Sequence, residues 1–137
     1  MLPQDIFDKM YSNDWFSQWL GIELVEVSAG YCKLSMKVRK EMLNGFGIAH
    51  GGITYSLADS ALAFASNSHG KKAVSIETSI AHTEQIKEGD KVFAEAIQVS
   101  ISNKIARYKI TVSNAEQKTV ALFNGTVYRT GKDWLVI

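Results

Sequence analysis

An α+β fold, a curved antiparallel sheet of about six strands wrapped around one long central helix, follows from three features of the sequence. Six segments alternate apolar and polar residues with a period of two, one segment is apolar almost all the way round at helical spacing, and the links between the later strands are short. A sheet with one apolar face and a helix apolar on most sides can only satisfy each other by packing together, which sets the wrapped arrangement.

Taken in order, residues 3 to 16 place Ile6, Phe7, Met10 and Tyr11 at helical spacing behind Pro3, a residue suited to a first helical turn. A short N-terminal helix lying on the main body is expected there. After Gly21, "IELVEV" and "YCKLSMKV" alternate on either side of the turn "SAG" and read as a hairpin. "NGFGIAHGGITYSLADSALAFASNS", residues 44 to 68, begins as a glycine-rich loop and continues as the central helix, with residues 53 to 65 apolar nearly throughout. Four strands follow, "KAVSIETSIAH", "KVFAEAIQVSIS", "IARYKITVS" and "TVALFNGTVYRT". Their separators "KEGD", "NK" and "NAEQK" predict antiparallel neighbours.

The 137 residues suit one domain, 1–137, with no repeat, low-complexity tract or linker. Lys and Arg number 15 against 14 Asp and Glu, and a net charge of +1 gives no field that would hold nucleic acid. A pocket for one phosphorylated small molecule is compatible with that balance. The single cysteine, Cys32, forms no internal disulfide and is expected to be a small hydrophobe on a strand. With no internal disulfide possible, nothing asks for an oxidising compartment and a cytoplasmic address is expected; the N-terminus has early acids and no long apolar run, so neither a signal peptide nor a membrane span is expected.

The chemistry gathers in the central stretch. His50, Gly51 and Gly52 stand where the helix begins, and a first helical turn has unpaired N–H groups and a partial positive charge that suit an anion or a developing oxyanion. A flexible start to the helix is the competing reading of two glycines. Asp59, a carboxylate among apolar residues, needs either a structural partner or a chemical role as base or nucleophile. Gly51 and Asp59 are eight residues apart, roughly 12 Å along one helix. If both act on one carbonyl, they come from different copies of the chain, at a homodimer interface. Ser56 and Ser60 lack a nucleophile elbow, and no P-loop or dinucleotide fingerprint is present. His50, His69 and His82 lack metal-ligand spacing and read as capping, loop or strand-end residues, so no metal is expected.

This stretch resembles the hotdog-fold acyl-CoA thioesterases of the PaaI (phenylacetyl-CoA) type, in which N-G-x-x-x-x-HGG leads into L-A-D-x-A-x-A-x-A-x-N-S. "LGIELVEVSAGYCKLSMKV", "GD" at 89 and 90, and "VALFNGTVYR" extend the likeness over most of the chain. The resemblance implies hydrolysis of an acyl-CoA, aromatic acyl groups included, by a homodimer or a dimer of dimers (homotetramer), without a cofactor. It makes Gly51 the residue whose amide polarises the thioester carbonyl and Asp59 the acid supplied by the facing subunit, as nucleophile or as base for water. Asn44 matches the polar residue that orients the site or its water. His50 matches the motif histidine, either a structural hydrogen-bonding group or a direct participant. Some members carry a hydroxyl one turn after the acid, where this chain has Ala63.

Gly52, which lets a ligand approach the backbone, is expected at the substrate, and Leu57 and Phe64 either line the acyl pocket or pack the core. Lys104 and Arg107 either contact the coenzyme's phosphates or are solvated surface charges. A non-catalytic acyl-CoA sensor on the same fold is the alternative. A dehydratase is disfavoured by the register of Asp59.

Overall fold

The computed structural model describes residues 1–134; the last three residues of the expected 1–137 domain lie outside the described residues. Helix α1 (Pro3–Tyr11) and helix α2 (Trp15–Leu20) precede the hairpin of β1 (Glu23–Ser28) and β2 (Tyr31–Lys37). A 3-10 turn at Lys40–Met42 and the glycine-rich loop lead into α3 (Gly51–Asn67), and β3 (Lys71–His82), β4 (Lys91–Ile101), β5 (Ile105–Asn114) and β6 (Thr119–Asp133) complete the chain. The six strands form one antiparallel sheet in the order β1-β2-β4-β5-β6-β3. This is the α+β fold the pattern predicts, with α3 enclosed by the sheet.

The alternation explains the packing. Cys32, Leu34 and Met36 of β2, Val92, Ala94 and Ala96 of β4, and Ala106, Tyr108, Ile110 and Val112 of β5 turn one buried face toward α3. They meet Leu57, Ala58, Ala61, Leu62, Phe64 and Ala65 of the helix. The approach is closest at β6, where a Cβ on Gly125 would stand 2.5 Å from Leu62 Cδ2, so only glycine lets that strand pass the helix. Cys32 is fully buried, and burial pushes its thiol up to about 12, as suits a packing residue with no reactivity.

Two expectations are corrected. The helix expected over 3 to 16 is two helices. Ser12, Asn13 and Asp14 break it, and Asp14 restarts it by accepting a hydrogen bond from the Ser17 amide at 2.9 Å. The "KEGD" link does not join antiparallel neighbours. β3 pairs with β6 at the sheet edge while β4 lies between β2 and β5, so residues 83–90 cross the end of the sheet. Three strand spacings are about 14 Å and eight residues reach further than that, so a short link is no proof of adjacency. Ile86, 5% exposed, pins the crossing from inside, and its carbonyl accepts from the Ala49 amide at 2.7 Å.

Candidate active site

Asp59 sits on the side of α3 that the sheet leaves half open, together with Ser56, Ser60 and Ala63. Its carboxylate accepts no hydrogen bond from the described residues. It opens into a cleft of about 460 Å³ walled by Leu62, Ala63, Val74, Val127 and Trp134. Desolvation raises its pKa above the ordinary 3.8, and the nearby carboxylate of Asp14 raises it further. The acid therefore has no structural partner here, and its surroundings make it a stronger base than a solvated aspartate.

Asp14 is held firmly. Its Oδ1 accepts the Ser17 amide at 2.9 Å and its Oδ2 the Ser17 hydroxyl at 2.7 Å. The Ser17 and Ser60 hydroxyls share a further hydrogen bond of 2.9 Å, which ties α2 to the residue beside Asp59. Asp14→Asn keeps the cap and removes the charge. In that variant the pKa of Asp59 is expected to fall, and the acid limb of the pH profile of any reaction that uses Asp59 as a base to move to lower pH with its plateau little changed. An acid limb that stayed in place would mean that Asp14 has no electrostatic hold on Asp59.

At the other end of the helix, His50 caps α3 through Nδ1, which accepts the Gly52 amide at 2.8 Å and so assigns the ring proton to Nε2. The amide of Gly51 has no acceptor among the described residues. It borders a second cleft of about 390 Å³ shared with Asn44, Thr54 and His82. A Cβ on Gly51 would stand 3.2 Å from His82 Nε2, so a side chain there would crowd the cleft. Asn44 shapes the loop. Its Oδ1 accepts from the amides of Phe46 at 2.9 Å and Ile48 at 3.4 Å, while its Nδ2 makes no hydrogen bond with the described residues.

The sequence-expected residues thus fall into five places. Gly51 and Asn44 share the second cleft, and Asp59 lies in the first, with no lining residue in common. His50 and Gly52 face an outer groove beside Phe16 and Trp19, and the Gly52 amide is already taken by His50, against the expectation that it serves the substrate. Leu57, 0% exposed, and Phe64, 1% exposed, are core residues that wall neither cleft; Phe64 packs edge-on against Phe7 with ring centroids 4.6 Å apart. Of the two readings weighed for this pair, packing is the one the positions support. Lys104 and Arg107 are exposed on the β4–β5 hairpin and outside both clefts.

Sequence reasoning missed Ser75 and Lys72 of β3, which enter the Asp59 cleft, and His82 at the far end of the same strand. Nothing in a strand pattern marks which of its exposed residues face a cleft. Among the described residues no three His, Cys, Asp or Glu side chains are grouped to hold a metal, and no helix is long and apolar enough to cross a membrane.

The edge of β3 brings the two clefts into relation. One side of β3 pairs with β6 and the other has no strand beside it among the described residues, while Val74 and Ile76 are 56% and 58% exposed. The Asp59 cleft takes its residues from the start of this strand, and the Gly51 cleft takes His82 from its end.

Comparison with known proteins gives a consistent picture. The Thioesterase superfamily matches residues 46–121. A relative from Archaeoglobus fulgidus is 47% identical over 133 residues, covering 97% of this chain and 86% of its own. Acyl-coenzyme A thioesterase PaaI of Escherichia coli is 38% identical, covering 89% of this chain and 87% of its own. The solved structure of the E. coli PaaI protein, described as coming from the phenylacetic acid degradation operon, superimposes with a TM-score of 0.94 over 96% of this chain and 95% of that one. A Streptococcus mutans protein solved bound to acetyl CoA is 28% identical with a TM-score of 0.79, covering 82% of this chain and 90% of its own.

Proposed function

Since this chain belongs to the Thioesterase superfamily, as a hotdog-fold homologue of the PaaI acyl-CoA thioesterases, we propose that it hydrolyses an acyl-CoA across a homodimer interface. The observation that carries this reading is the pair of half-sites: an unpartnered Gly51 amide in one cleft and an unpaired Asp59 in the other. Antiparallel pairing of the free β3 edge with its copy lays the start of one strand against the end of the other. The Asp59 cleft of each subunit then faces the Gly51 cleft of its partner.

The thioester carbonyl accepts from the Gly51 amide at the positive end of α3, which favours the charge that develops on its oxygen. Asp59 of the other subunit either attacks the carbonyl carbon or takes a proton from the water that does. With Ala63 bearing no hydroxyl, the Ser75 hydroxyl, in the same cleft as Asp59, and the Asn44 amide are the polar groups that orient this water. As the tetrahedral species collapses, a C–O bond has formed, the C–S bond breaks, and coenzyme A leaves as the thiolate to be protonated; on the nucleophilic route the acyl group is then an anhydride on Asp59, which a water cleaves to release the acid and restore the carboxylate. His50 acts as the cap that leaves the Gly51 amide free.

Lys104 and Arg107 meet the phosphates of the nucleotide as exposed cations, and replacing each with alanine should raise KM by about two- to fivefold per residue, with kcat unchanged and the effect shrinking in salt. Titration of KM against ionic strength checks this. The proposed enzyme is a homodimer doubled into a tetramer, cytoplasmic, consistent with its one buried free thiol. Steady-state rates of the purified protein on phenylacetyl-, benzoyl-, short- and medium-chain acyl-CoA test the function and identify the acyl group. Hydrolysis of none of them, with tight binding of one, would instead make this chain an acyl-CoA sensor.

A further inference from the structure

The Asp59 cleft has a built far end. Asp59, Ala63, Ser66 and Asn67 follow one another along α3 at spacings of four, seven and eight residues, and all four line the cleft. Its floor therefore runs from the carboxylate to Asn67, about 12 Å along the helix. There the indole of Trp134 stands across it. Trp134 Nε1 donates to Asn67 Oδ1 at 2.8 Å, the Trp134 amide donates to the Gly70 carbonyl at 3.0 Å, and the Lys72 ammonium lies 5.0 Å from the ring centroid. Asn67 is itself immobilised. It is 2% exposed, its Nδ2 donates to the carbonyls of Ala63 at 2.8 Å and Ala73 at 3.1 Å, and its Oδ1 also accepts the Ala73 amide at 2.9 Å.

Beyond this wall the chain has another groove, of about 660 Å³, formed by Asn13, Trp15 and Phe16 among others. Among the described residues, only Trp134 and Met10 line both spaces. The two side chains form a partition between a short cleft that ends at them and a longer path that would continue over exposed aromatic surface.

We propose that Trp134, positioned by Asn67 and backed by Met10, is the end wall of the acyl site and sets the longest acyl chain the enzyme accepts. This rests on reading the Asp59 cleft as the place where the acyl group lies. With its carbonyl near Asp59, an acyl group grows along Ala63 and Ser66 until its tail meets the indole. A group that fits gains apolar burial with each added carbon, and one that is longer must displace an indole held by its hydrogen bond to Asn67 and its contact with the Lys72 ammonium. Specificity is then a ceiling on length, raised by removing the wall.

The test is kcat/KM across straight-chain acyl-CoA from acetyl to palmitoyl for the parent and for Trp134→Ala, Trp134→Phe and Met10→Ala, with Asp59→Asn alongside. Trp134→Ala is expected to raise the ratio of the longest-chain to the acetyl value by at least about tenfold, the low end of what one methylene is worth in a hydrophobic pocket. Met10→Ala, which leaves the Asn67 network intact, should shift the profile in the same direction by less, and it decides the matter with Trp134→Phe if Trp134→Ala does not fold. Length profiles of the folded variants that superimpose on the parent's, with Asp59→Asn inactive, would overturn the end wall and leave the thioesterase reading standing. An Asp59→Asn protein as active as its parent would instead remove the reading on which the wall depends.

Discussion

Asp59→Asn is expected to lower kcat for acyl-CoA hydrolysis by about 10²- to 10⁴-fold, the range associated with losing a positioned acid or base, while KM changes little. The variant should also be more stable than its parent at neutral pH. The folded pKa of Asp59 lies above its ordinary 3.8, so between those two values the folded chain binds more protons than the unfolded one. Stability is thus lost as pH rises through that window, and a neutral amide is spared the loss. Rate assays paired with thermal melts at neutral pH check both halves: a variant that is inactive because it is misfolded would melt lower.

The same substitution tests the shared site. Chains carrying Asp59→Asn and chains carrying Gly51→Val, whose added side chain meets the His82 ring, should each be inactive alone. Unfolded together and refolded, they should recover about a quarter of the parent's activity, because half of a random dimer population is mixed and each mixed dimer has one intact site of two. Mixtures that stay inactive although mixed dimers form would place both groups' action within one subunit, contrary to their separate clefts.

Phe64→Ala is expected to cost about 3–5 kcal/mol of stability, the usual loss for a buried phenylalanine truncated in a close-packed core. Phe64 is 1% exposed and packs against the stacked rings of Phe7 and Tyr11, with centroids at 4.6 and 6.5 Å, so truncation leaves a hole beneath α1 that the sheet on the other side of α3 cannot fill. Urea unfolding measures the loss. The ratios of kcat/KM among acyl-CoA substrates should be unchanged in the remaining folded protein. A change in acyl preference without a fall in stability would return Phe64 to the role of an acyl-pocket wall, one of the two the sequence left open.

Much of the architecture was legible because the determining signals are local. Period two along "KVFAEAIQVSI" and "IARYKITVS" marks one buried face wherever the strand is placed, and the observed β4 and β5 follow it closely. The break at Ser12–Asp14 went unread because helical apolar spacing continues across it, although Asp14 three residues before Ser17 is a capping signal. The place of β3 at the edge, beside β6, was not legible. Strand order depends on where the chain goes after the helix, and an eight-residue link permits either a hairpin or a crossing.

The site divides in the same way. Asp59 and the HGG turn stood out because a carboxylate in an apolar helix and glycines at a helix start are anomalies visible in one dimension. Leu57 and Phe64 were ambiguous, since an apolar residue on an apolar helix looks the same whether it meets a strand or a substrate; only burial on a particular side separates the two. Ser75, Lys72 and Trp134 gave no signal at all, because they lie far from Asp59 in sequence and reach its cleft through the pairing of β3 with β6.

By itself, then, the sequence determined the class of fold, the helix at its centre and the two chemical groups that helix bears, all of which depend on residues within a few turns of one another. Only the tertiary structure decided that those groups open into separate clefts, that His50 takes the neighbouring amide and leaves that of Gly51 free, and that the Trp134 indole lines the far part of the cleft that holds Asp59. The reason is physical: a side chain's exposure and partners depend on contacts between segments distant in sequence, and no local pattern encodes which of the possible contacts the packed core will form.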